Sequence, residues 1–175
     1  MNARLQDLYN KIETQRRTLL LSLKDLSYDK LNTHLPTKWS INQIIAHLIT
    51  AEDLSIAYLH KKILGINELE DSGLLEELKM ILLIVSQRLP LKFKAPKIVV
   101  AKTSDETDLN KLIAKWDLTR LELKNILDPI ESHHIKRKVY RHVRVGMLNI
   151  QHTLKFIGEH VGHHTPQIKK LLKQK

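Results

Sequence analysis

Cysteine is absent from the 175-residue sequence. That excludes disulfides, thiolate metal ligands and a cysteine nucleophile. Glycine and proline are scarce, five of each, too few turn signals for a β-sandwich of many short strands. Aromatic residues make up 5 % of the chain. No helix-turn-helix, zinc-finger or base-stacking signature occurs, which makes nucleic-acid binding the weakest reading. No run of 18 apolar residues exists, which argues against a transmembrane span and against a membrane partner.

What is present suits one helical domain over residues 1–175. Apolar residues account for 42 % and charged residues for 27 %, enough of each for a core and a solvated surface. Leucine, isoleucine and lysine dominate, as in long helices. Lysine and arginine number 29 against 19 acidic residues, a net charge of +10. The basic residues spread along the chain, with small clusters at Lys136-Arg137-Lys138, at Arg141 and Arg144, and from Lys169 onward. The plain expectation is a basic soluble surface; an acidic ligand is the sharper alternative. The start, Met1-Asn2-Ala3-Arg4, opens a helical pattern without a signal peptide's apolar run, so a cytoplasmic location is expected.

Helical periodicity predicts five helices. The first spans residues 3–26, with Leu5, Leu8, Ile12, Leu19, Leu23 and Leu26 on one face. A connector over 28–38 ends near Pro36. Ser40 and Gln43 form a capping-box pattern, and Trp39 with Ile44 a hydrophobic staple, for a second helix that reaches Leu64. Residues 74–89 form a third, strongly apolar helix that stops before Pro90. Residues 91–104, with Pro96 and Ile98-Val99-Val100, read as an extended connection or short strand. Ser104 or Asp105 caps a fourth helix to Leu127. A basic connector over 128–146 leads to a last helix from Leu148 to Leu172.

Ten histidines are many for this length. At about 100° per residue, His160 and His164 both lie on or beside the apolar face of the last helix, and His163 points further outward. An i, i+4 pair can aim two imidazoles at one metal ion. His47, beside the apolar face of the second helix, is the best third ligand. His34, His60, His133, His134, His142 and His152 carry no such pattern and read as surface or loop residues. Glu52 and Asp53 lie at about 140° and 240° from His47 and read mainly as solvated charges, with Glu52 a candidate for moving a proton. Gln167 is a second candidate, for a hydrogen bond near the site. Pro166 predicts a kink beside the pair, which Gly162 can ease.

The segment Lys38-Trp39-Ser40-Ile41-Asn42-Gln43-Ile44-Ile45-Ala46-His47-Leu48 resembles the W-S-x-x-x-(apolar)-x-H-L segment of the DinB/YfiT-like metalloenzyme superfamily. His160-Val161-Gly162-His163-His164-Thr165-Pro166-Gln167-Ile168 resembles its H-x-x-H-H-x-x-Q-I signature, and residues 109–127 with Arg120 resemble the helix between. The resemblance implies an all-α four-helix bundle with long crossover connections, with 74–89 as one extra helix. It implies one divalent ion (zinc, nickel or iron) held by His47, His160 and His164, and a homodimer. Some members of that superfamily are S-transferases for low-molecular-weight thiols. With no cysteine of its own, this chain would need an external thiol such as bacillithiol or glutathione. The expectation is therefore a metal-dependent thiol S-transferase or hydrolase acting on a small molecule. The alternatives are a non-catalytic metal-binding module and a basic nucleic-acid binder.

Overall fold

Four long amphipathic stretches become four long helices. The computed structural model describes residues 1–34, 38–89 and 94–173. Pro36, Pro90, residues 91–93 and Lys175, all read above as punctuation, connection or basic tail, lie outside them. The long helices are α1 (Ala3–Leu21), α3 (Ile41–Ile63), α6 (Leu109–Leu127) and α7 (Ile150–Leu172); between them come α2 (Tyr28–Asn32), α4 (Leu74–Arg88) and α5 (Lys97–Lys102). Two short strands, β1 (Lys138–His142) and β2 (Gly146–Asn149), precede α7. Helix α1 packs on α6 and α7, and α3 packs on the same two. The four form a square bundle with α1 diagonal to α3. Helix α4 lies outside the square, along α7. No described helix is long and apolar enough to cross a membrane.

The boundaries follow side-chain competition for backbone groups. Helix α1 stops at Leu21 rather than residue 26. The Ser22 hydroxyl donates to the Leu19 carbonyl at 2.6 Å, and Ser27 then caps α2. Leu23 stays fully buried in the intervening turn, which is why the apolar period overruns the helix. Helix α3 starts where the capping box predicts. The Gln43 amide donates to Ser40 Oγ at 3.2 Å, and Gln43 Oε1 accepts from the Ser40 amide at 2.8 Å. Replacing Ser40 by alanine is expected to cost about 1 kcal/mol, read as a lower Tm in thermal unfolding.

Three expectations need correction. The 91–104 segment contains helix α5 in its described part. Pro96 stands at its N-cap with φ −54°, already near the helical value, and Val99 packs inward. Helix α6 begins at Leu109, capped by Asp108; Ser104 Oγ accepts from the Glu106 amide instead. The 128–146 connector holds strand β1, which pairs antiparallel with β2 (Tyr140 opposite Leu148, His142 opposite Gly146). Gly146 has φ +78°, a conformation other residues rarely adopt, and it ends the turn of this hairpin. Asn149 caps α7, accepting from the His152 amide at 2.8 Å. The helix continues through Pro166 to Leu172.

The core is divided. One apolar cluster gathers Leu5, Ile12, Ile56, Leu123, Leu154 and Ile157; another gathers Leu19, Ile41, Ile45, Trp116, Val161 and Ile168. The intervening turns of α1, α3 and α6 carry Glu13, Arg16, Glu52 and Arg120, all buried. Arg120 Nε lies 2.7 Å from Glu52 Oε1 and 3.6 Å from Glu13 Oε1. Arg16 bridges Glu13 at 3.0 Å and Asp117 at 2.7 Å. The Trp116 indole N–H donates to Glu52 Oε2 at 3.0 Å. Glu52 is thus 4 % exposed and not the solvated charge that the helical wheel suggested.

Candidate metal centre

His47 comes from the second turn of α3, which the Ser40–Gln43 box anchors. His160 and His164 come from successive turns of α7, which packs against α3. The three rings form a nearly equilateral triangle. Ring centroids are 5.2 Å apart for His47–His160, 5.0 Å for His47–His164 and 4.9 Å for His160–His164. One ligating nitrogen from each can be chosen so that all three lie within 4.8 Å of one another. His47 and His164 are buried and His160 is half-buried. Trp39 covers His47, with ring centroids 4.8 Å apart, and Phe156 stacks on His160 at 5.7 Å.

Electrostatics keep these rings neutral. Burial lowers His47 to about 4, with the nearby His163 adding to the effect. Burial, then repulsion from His47, lowers His164 to about 3 against an opposing hydrogen bond from Gln167. His160 falls well below its ordinary value, through burial first and the neighbouring histidines second. At pH 7 the imidazole lone pairs are therefore free of protons and open to a metal ion. Gln167 Oε1 lies 3.1 Å from His164 Nδ1. A carbonyl oxygen only accepts, so Nδ1 carries the ring proton and Nε2 keeps the lone pair. His47 Nδ1 is buried without a hydrogen-bond partner among the described residues. Three neutral imidazoles whose nitrogens can be chosen within 4.8 Å of one another fit a divalent ion such as zinc. No fourth histidine or acidic side chain joins the group among the described residues.

Of the other histidines, His34, His60 and His133 are exposed as expected, and the rest sort differently from the sequence reading. His163 turns toward α4, its Nδ1 2.8 Å from the Gln87 carbonyl oxygen. His134, His142 and His152 are buried, 8 %, 6 % and 1 % exposed, and are not surface residues. His152 Nε2 lies 3.0 Å from Glu77 Oε1. His142, on β1, rests edge-on against Phe156 and is lowered to about 4 by burial and then by Arg144. The N-cap Asn149 was the available signal for His152, which sits three residues into α7 and faces inward.

One small cavity borders the site and a larger groove lies away from it. A void of about 10 Å³ is lined by Glu52, Ser55, Phe156 and His160, room for roughly one water molecule. A groove of about 740 Å³ runs on another face of α7, between Gln15, Thr18 and Leu19 of α1 and Gly162, Pro166 and Lys169 of α7. Lys170 and Lys173 of the basic tail also line this groove, which none of the three clustered histidines lines. Two residues of the Lys136-Arg137-Lys138 cluster pair with acids: Arg137 with Asp71 at 3.5 Å and Lys138 with Glu70 at 3.1 Å.

The DinB superfamily model matches residues 11–168, from α1 into α7. No curated protein and no solved structure matches the chain. The matched span holds His47 on α3, His160 and His164 on α7, and most of the four long helices, and the chain belongs to the DinB superfamily.

Proposed function

We propose that this chain is a metal-dependent enzyme. It acts on a small molecule as a low-molecular-weight-thiol S-transferase or a hydrolase, with one zinc, nickel or iron ion held by His47, His160 and His164. The observation that carries the reading is the ligand count. The described residues bring three imidazoles together with no fourth histidine or acidic ligand, whereas closed structural zinc sites use four protein ligands. Bound there, the ion would act as a Lewis acid that lowers the pKa of a water or of an external thiol such as bacillithiol or glutathione.

The chain's own residues prepare the site. Burial keeps the rings unprotonated, Gln167 fixes the His164 tautomer, and Trp39 shields His47 from water. Glu52 borders the same one-water void as His160. Desolvation raises its pKa while Arg120 opposes the rise, so it is the candidate that can take up a proton, and Gln167 only orients His164. Gln167→Leu is expected to weaken metal affinity about tenfold by freeing the His164 ring, measured by competition with a chelating dye.

A non-catalytic metal-binding module is the second reading. It is favoured by the groove of about 740 Å³, which lies away from the histidines. Cobalt(II) substitution separates the two. The enzyme reading expects the visible spectrum to change when thiol is added, and thiol transfer or hydrolysis that is lost in His164→Ala. A thiol-insensitive spectrum without turnover would leave the binding module.

A further inference from the structure

Helices α1 and α7 touch closely at one turn and then leave a groove between them. At Gly158 an added Cβ would lie 3.1 Å from Ile12 and 3.3 Å from Gln15, and Gln15 Nε2 donates to the Gly158 carbonyl at 3.0 Å. One turn further along α7, at Gly162, the nearest such contact is Gln15 Nε2 at 3.5 Å. The groove of about 740 Å³ begins here, and Gln15, bonded across the two helices, closes this end. Its floor is apolar. Leu19 and Ile168 are 6 % and 1 % exposed, and Leu172 adds a half-buried side. The other end lies where α1 stops at Leu21 and Ser22 caps it. There Lys169, Lys170 and Lys173, all exposed, edge the groove. No acidic residue lines it. The C-terminal ends of α1 and α7 bring about half a negative charge each, against three ammonium groups, so this mouth keeps an excess of about two positive charges. Elsewhere Arg88, Lys115 and Lys138 are neutralised by carboxylates of the same chain.

We propose that this groove binds a single-chain amphiphile with an anionic head, a fatty-acid carboxylate. The tail lies along Leu19, Ile168 and Leu172, and the head sits among Lys169, Lys170 and Lys173. Shape and charge argue together. The groove is closed and apolar at one end and open and basic at the other, which matches a molecule with one apolar and one anionic end. Its volume falls within the ~300–1,000 Å³ of small-ligand sites. From Gly162 to Lys173 the helix rises about 16 Å at 1.5 Å per residue, close to the length of extended dodecanoate. An acidic amphipathic helix, about 10 Å or more across with its side chains, is too wide to enter between two helices in contact at Gly158. None of the three clustered histidines lines the groove. The site therefore stands independently of the metal centre, and its ligand binds the metal-free protein equally well.

Isothermal titration calorimetry of the chelator-treated full chain with dodecanoate tests this. A Kd on the order of 10 µM is expected at low salt, weakening about fourfold for each methylene removed on the way to octanoate. Lys169→Glu combined with Lys173→Glu is expected to weaken dodecanoate at least about tenfold, and dodecanol is expected to bind the wild type about tenfold more weakly than dodecanoate. Thr18 is an exposed α1 residue on the groove. Thr18→Phe is expected to abolish binding by filling the space, with the circular-dichroism helix signal unchanged. No binding up to about 1 mM dodecanoate overturns the proposal, as does dodecanol binding as tightly as dodecanoate. Binding indifferent to Thr18→Phe places the ligand elsewhere, such as on the exposed apolar residues of α4, and overturns the site. Binding to phosphatidylglycerol vesicles without binding to dissolved dodecanoate would assign the lysines to a membrane surface and overturns it too.

Discussion

Arg120→Met is expected to cost about 3–5 kcal/mol of folding stability, the usual penalty for removing one partner of a buried ion pair. Arg120 is 2 % exposed and faces Glu52, 4 % exposed, at 2.7 Å. Its guanidinium also lies 6.0 Å from the centre of the Trp116 ring. Without the arginine, Glu52 keeps the indole hydrogen bond but loses its counter-charge. Its pKa is already raised by desolvation, with Arg120 the main opposing influence. The substitution therefore raises it further. A carboxyl whose folded pKa exceeds its unfolded value gains stability on protonation, so the variant's deficit should shrink as pH falls through that raised pKa. Glu52→Gln in the same chain removes the stranded charge and still accepts from Trp116. The double variant should recover at least about 1 kcal/mol of the loss, as coupled neighbours do in a double-mutant cycle. Urea unfolding of the three variants at two pH values measures this. Additive losses would show that the polar layer is not an electrostatic unit.

The metal-free protein is expected to lose several kcal/mol of stability between about pH 6.5 and pH 4. His47 and His142 are each lowered to about 4 and His164 to about 3. In the unfolded chain all three titrate near 6.5, so below that pH the unfolded state binds more protons than the folded one. Stability is complete above about pH 6.5 and drains as pH falls toward the folded values. His47 alone accounts for roughly 3 kcal/mol across that window. Glu52, with its raised pKa, works in the opposite direction but is a single group. Denaturant unfolding of chelator-treated protein at about pH 7.0, 5.5 and 4.5 reads the slope. A flat profile would mean that the histidines titrate normally and are not buried as neutral rings. Adding metal at neutral pH should stabilise the protein and steepen the acid dependence, because ligation and protonation compete for the same nitrogens.

The histidine triangle was legible because its parts are local. The i, i+4 spacing of His160 and His164 survives any error in helix ends, and the Ser40–Gln43 box fixes the turn that carries His47. The polar layer was not legible, for a reason specific to α3. A helical wheel assumes one buried face, but α3 touches α6, α7, α2, α5 and β1. Its buried set runs from Ile41 and Asn42 through His47, Thr50 and Glu52 to Leu59. Glu52 can therefore sit far from His47 on the wheel and still be enclosed. The β1–β2 hairpin escaped because it is short and rests on α3 and α7, contacts that no local pattern encodes. Helix α4 shows the reverse limit. Its apolar residues marked the helix but not which of them would find a partner within the chain, and six remain in water.

Whether His47, His160 and His164 hold one divalent ion is decided by elemental analysis of the purified protein beside His47→Ala and His164→Ala. About one equivalent of zinc, nickel or iron is expected in the wild type, and its loss in both variants, with helix content retained. A wild type that takes up no metal after incubation with zinc or nickel would leave the triangle as a cluster of neutral core histidines, and the metalloenzyme reading would fall with it.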